Sequence, residues 1–151
     1  MDQTPTAPRY SDYFADFDVR NELALEFVSL WPSWLGQEYC HKLDAVTDSD
    51  WEKFNRFVEA IADSYPLWIP NHGKQKLEPV RNVQATLSNH SDAQQKSADR
   101  FSQYVIESLE CIVSEHWDYT FIIWHWRNGA VESLAPLIER SGLFHFHDDR
   151  K

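Results

Sequence analysis

The sequence predicts an α+β fold, predominantly helical, with four to five helices and a small C-terminal βαβ-type two-stranded unit, in a single domain over 1–151. Three observations predict it. Apolar residues recur at steps of three and four along most of the chain as far as Val113. The stretch "YTFIIWHW" is apolar on both alternating faces. A helical pattern of about a dozen residues separates that stretch from "LFHFH", which alternates.

Taken in order, residues 1–9 hold Pro5 and Pro8 among small polar residues and are expected to form a flexible tail. From Asp18, a helical stripe of Val19, Leu23, Phe27 and Leu30 is widened by Ala24, Val28 and Trp31, and Pro32 ends it or starts the next helix. Ser33 then caps a weaker stripe of Leu35, Tyr39 and Leu43, interrupted by Gly36. The clearest helix starts at Ser49. Ser49 and Glu52 match the capping-box pattern, in which each side chain satisfies a free backbone donor. Trp51, Phe54, Val58, Ile61 and Tyr65 follow on one face, and Pro66 stops the helix.

Residues 66–93 lose the period and read as a connecting segment, with a short helix through Val80 to Leu87. So long a connection inside a compact domain is usually functional or mobile. A long helix is expected from Ser91 or Asp92, with Ala98, Phe101, Val105, Leu109 and Ile112 as its stripe. At about 24 residues it spans roughly 36 Å and forms a central spine.

Tyr119 to Trp126 is rich in β-branched and aromatic residues and reads as a strand covered on both faces. A helix from Asn128, with Pro136 inside and Gly142 as its C-terminal cap, leads to a second strand at "LFHFH". Strand, helix and strand in that order imply a parallel, right-handed pairing.

The charge narrows function. The net charge is −10, and only the segment 66–100 carries more bases than acids. So acidic a surface repels phosphate backbones, which excludes nucleic acid as an expected partner and favours a basic protein. The N-terminus lacks a basic stretch followed by an apolar run, and no apolar run approaches the roughly 20 residues a membrane span needs. Cys40 and Cys111 form no paired motif and are expected to be reduced thiols in a cytoplasmic protein.

No G-x-S-x-G, P-loop or dinucleotide fingerprint is present, and four glycines leave little scope for phosphate-cradling loops, so no cofactor is expected. Cys40 and His41 are adjacent, which does not by itself make a catalytic pair.

Asp12, Asp16 and Asp18, with Asp48, Asp50 and Glu52, stand at or before expected helix starts, where negative charge complements the helix dipole. The same acids are candidates for a partner-binding rim, with Tyr10, Tyr13, Phe14 and Trp51 as aromatic contacts. Trp31 and Trp34, in "WPSW", are candidates for an exposed aromatic patch. His145 and His147 share a strand face and could meet His125 on a neighbouring strand. Three imidazoles, with Asp148 or Asp149 to orient them, are a candidate zinc site. Arg127 could present an anion site at the end of its strand, or pair with an acid such as Glu132 across the turn.

Three function classes follow. The first is a small acidic binding protein of the antitoxin or immunity type, neutralising a basic toxin or effector domain by occluding its surface. The second is a metal-dependent hydrolase built on the three histidines. The third is a structural or adaptor subunit of a permanent complex, with homo-oligomerisation as one form of it.

Overall fold

The computed structural model of the protein describes residues 8–33, 37–87, 101–116 and 119–147. In chain order these form β1 (Phe14–Ala15), β2 (Asp18–Val19), β3 (Ala24–Ser29), α1 (Asp48–Ser64), β4 (Trp68–Asn71), β5 (Lys76–Pro79), β6 (Gln103–Ile106), β7 (Cys111–His116), β8 (Thr120–His125), α2 (Gly129–Arg140) and β9 (Phe144–Phe146). Short 3-10 turns occur at Tyr10–Asp12, Gln37–Ala45, Val83–Thr86 and Glu107–Leu109. Seven strands pair antiparallel in the order β5-β4-β6-β7-β8-β3-β9, and β1 and β2 form a separate hairpin.

The protein is therefore sheet-rich, and the expectation of a predominantly helical fold with four to five helices is overturned: the described residues contain two α-helices. The expected helix from Asp18 to Leu30 is β2 and β3. Its residues fit a helical stripe only because β3 is buried on both faces, with Phe27 and Val28 on opposite sides of the sheet. The expected spine helix fails for the same reason. Its first residues, 91–100, lie outside the described residues, but 103–116 form the hairpin β6–β7. Two consecutive apolar triplets, Tyr104–Val105–Ile106 and Cys111–Ile112–Val113, bury both faces. Between them a 3-10 turn ends at Glu110, whose left-handed φ of 53° reverses the chain.

The expected connection at 66–93 contains the hairpin β4–β5 and a 3-10 turn where the short helix was expected. The weak stripe after Ser33 is a 3-10 helix over Gln37–Ala45.

α1 and α2 form where their periodicity places them. The box that caps α1 begins two residues before Ser49: Thr47 Oγ1 accepts from Asp50 N–H at 3.2 Å, and the Asp50 carboxylate accepts from Thr47 N–H at 3.0 Å. Gly142, at φ 85°, closes the end of α2 as expected. β8 and β9 run in the same direction, but β3 lies between them and pairs antiparallel with both, so the direct parallel pairing is replaced by a crossover of one strand.

Two apolar layers result. On one face α1 and α2 bury Trp51, Phe54, Phe57, Val58, Ile61, Leu134 and Ile138 against Val28, Tyr104, Ile106, Val113, Phe121 and Ile123. Phe54 stacks on Phe121 with ring centroids 4.8 Å apart. Residues on the other face, including Trp68, Leu77, Val105 and Ile112, are covered by the N-terminal segment through Tyr10, Tyr13 and Phe14. That second layer positions the candidate site.

Candidate partner-binding site

β1 and β2 are joined by a two-residue turn, Asp16–Phe17, since Phe14 faces Val19 and Ala15 faces Asp18. Asp16 adopts φ 58°, the left-handed region that costs a non-glycine residue about 1–2 kcal/mol. Tyr10 Oη donates to the Asp16 carbonyl at 2.5 Å, and a hydrogen bond contributes about 1 kcal/mol. The turn by itself is thus close to balance. Burial of Tyr13 and Phe14, about 2 kcal/mol apiece, decides that the hairpin forms against the sheet.

Those aromatics are anchors turned inward. Tyr10, Tyr13 and Phe14 are all buried, so they are not the exposed contacts the sequence suggested; the same holds for Trp51 beneath α1. The side chain the hairpin shows to solvent is Phe17, 64 % exposed, flanked by the exposed Asp16 and Asp18.

The segment 10–20 is the common wall of two grooves. On one side Ser11, Asp12, Tyr13 and Arg20 join Glu107, Glu110 and Trp126 around a cleft of about 560 Å³. Trp126, 42 % exposed, donates its indole N–H to the Asp12 carbonyl at 3.1 Å. Tyr13 donates its hydroxyl to the Glu107 carboxylate, and burial with this bond drives the phenol's pKa upward. Arg20 pairs with Glu22 at 3.0 Å and holds its carboxyl below the usual range. Arg127 pairs with Glu110 at 3.3 Å, not with Glu132.

On the other side Phe17, Asp18 and Val19 face Phe101, Gln103, His116 and Trp124 across a groove of about 750 Å³. His72, Phe101 and Gln103 also line a smaller groove of about 380 Å³. His72 ties these parts together. Its Nδ1 lies 2.6 Å from Tyr10 Oη, its Nε2 lies 2.8 Å from Gln103 Oε1, and its ring stands edge-on to Phe14 and Phe17. The sequence reading missed His72. The available signal was the turn cluster Asn71–His72–Gly73 between two short apolar runs, which marks a hairpin.

The other candidate residues lie elsewhere. Asp48, Asp50 and Glu52 stand at the start of α1, on the opposite face of the sheet. Trp51 there packs on Tyr119 and Phe121 where β8 begins, whereas Asp12 meets Trp126 where β8 ends. The acids thus form two separate groups. Trp31 is half-buried; Trp34 lies outside the described residues, as do Asp148 and Asp149.

His125 and His145 share the helix-covered face with β3 between them. His145 Nδ1 donates to Glu26 at 2.6 Å, His147 Nδ1 to the Leu25 carbonyl at 3.1 Å and His125 Nδ1 to the Arg127 carbonyl at 3.1 Å. Among the described residues no three His, Cys, Asp or Glu side chains converge to hold a metal ion. Cys111 is fully buried and burial pushes its thiol up to about 12, so it packs and does not react.

Compared with known proteins, the chain matches no family model, no curated protein and no solved structure. No described helix is long and apolar enough to cross a membrane.

Proposed function

We propose that this chain is a protein-binding module that covers a basic surface on its partner, in the manner of an antitoxin or immunity protein, with the N-terminal hairpin as its contact element. The observation that carries the reading is Phe17. It is the most exposed of the large apolar side chains the described residues leave in solvent, and it stands between two carboxylates on a turn held in a strained conformation. Burying such a ring on a partner contributes about 1.5–3 kcal/mol, enough to make it an anchor, while Asp12, Asp16 and Asp18 steer a positive surface toward it. The net charge of −10 supports the sign of that partner.

The test is affinity capture from the native host with three baits: the wild-type chain, Phe17→Ala, and a variant carrying Asp12→Asn, Asp16→Asn and Asp18→Asn. The reading expects a stoichiometric basic protein on the first bait, depleted on the other two while both retain wild-type circular dichroism. Equal recovery on all three would sink it.

A further inference from the structure

The groove behind Phe17 has the make-up of a cation receptor. Its lining includes the aromatic residues Phe17, Phe101 and Trp124 and one acidic residue, Asp18. Aromatic faces attract a cation through their quadrupole, tryptophan most strongly, and a neighbouring carboxylate adds a charge-assisted hydrogen bond.

Two of these walls already make contacts within the chain before any ligand arrives. The Trp124 indole N–H donates to Ser114 Oγ at 2.9 Å, which sets the plane of the ring. Phe17 leans on His72, whose own ring is held from both sides by Tyr10 and Gln103. Pre-set walls spare the ordering cost that a flexible surface meets on binding.

Arginine matches this lining better than lysine. Its planar guanidinium stacks on an indole while donating two parallel hydrogen bonds to a carboxylate, and it is less strongly hydrated than an ammonium. At about 750 Å³ the groove also has room for more than one side chain, and it shares His72, Phe101 and Gln103 with the lining of the 380 Å³ groove. A bound arginine can therefore bring its neighbouring residues with it.

We infer that this groove is an arginine-binding site, in which a guanidinium carried by an extended segment of the partner stacks on Trp124 and pairs with Asp18. The inference rests on the proposed binding reading and names the partner's anchoring side chain. The acidic cleft beside Trp126 is a separate feature, lined by entirely different residues.

The experiment titrates the full ¹⁵N-labelled chain with N-acetyl-arginine amide and, separately, with N-acetyl-lysine amide, each to about 50 mM, the range of a single weak side-chain contact. It is run near pH 8, where free imidazoles are neutral. The site predicts saturable shifts of the Trp124 indole N–H and of the amides of Phe17, Asp18, Val19 and Gln103. Arginine amide binds about 3-fold more tightly than lysine amide, and Asp18→Asn weakens it about 3- to 5-fold. Trp124→Leu abolishes the shifts. Because that change also removes a packed ring, the Asp18→Asn result on a folded chain carries the decision. Linear shifts without saturation, equal response to both amides, shifts centred on Trp126, or an unaltered response in Asp18→Asn would each overturn the site. The two failures are distinguishable: if the amide titration fails while Asp12→Asn with Asp16→Asn still depletes the captured partner, hairpin binding stands and the arginine site alone falls.

Discussion

Tyr10 donates its phenolic hydrogen to the carbonyl of Asp16, the residue whose left-handed backbone turns the N-terminal hairpin. One bond thus links the anchor buried in the sheet to the turn that presents Phe17. Tyr10→Phe removes the donor and leaves the ring. The expected loss is about 1 kcal/mol, read as faster amide exchange at residues 14–19 and at the turn around His72, which also meets this hydroxyl, with the α1 amides unchanged. Unaltered exchange at the turn would show that the bond does not hold it.

The strain at Asp16 separates stability from binding. Asp16→Gly relieves a positive φ that glycine adopts freely, so the urea midpoint is expected to rise by an amount corresponding to about 0.5–1 kcal/mol. The same change deletes a carboxylate beside Phe17, so association with a basic partner slows. A variant that is both less stable and an undiminished binder contradicts both halves of the argument.

The α1 cap carries a pH signature. Backbone donation from Thr47 holds the Asp50 carboxyl below its ordinary value against the opposing effect of burial, with the Thr47 hydroxyl and Lys53 adding in the same direction. A group whose folded pKa is depressed stabilises above its unfolded pKa and loses that contribution as pH falls through the folded value. Wild type should therefore exceed Asp50→Ala by about 1 kcal/mol at neutral pH, with the gap shrinking below about pH 4. Parallel stability curves for the two proteins from pH 7 to pH 2 would rule this out.

Cys111 is fully enclosed between the sheet and the helices, and burial raises its thiol to about 12. Iodoacetamide at about pH 8 should leave it unmodified in the native chain and label it once urea unfolds the protein, as peptide mass mapping would report. Rapid native labelling would mean that this part of the core opens.

How much of this was legible in the sequence depended on whether a segment buries one face or two. α1 and α2 each present one apolar face, so their residues recur at a single period. β8 was recognisable because six of the eight residues from Tyr119 to Trp126 are apolar or aromatic and fall on both alternating faces, too many for a one-faced helix. β3, β6 and β7 are also buried on both sides but carry shorter apolar runs, and a few consecutive apolar residues fit a helical stripe as readily as a strand. For β3 and β6 the pairing with distant strands, β8 and β4, is not encoded in the local pattern, and for β7 the turns on either side, not its own apolar run, decide the matter. The acids Asp12, Asp16 and Asp18 were visible as a group, but reading them as helix-start charges hid the turn between Phe14 and Val19 that lifts Phe17 into solvent. His72 and Gln103 meet across 31 residues of sequence, and no local pattern reports such a meeting.

The central claim is that the acidic hairpin attracts and grips a positive protein surface. The most direct test is the association rate with the captured partner, measured by stopped flow from about 50 to 500 mM salt, over which the screening length shortens from more than 10 Å to a few ångströms. The account predicts a rate that falls steeply with salt, and a variant with Asp12→Asn, Asp16→Asn and Asp18→Asn that starts about 10-fold slower with a flatter salt dependence. A rate indifferent to salt and to those three substitutions would contradict it.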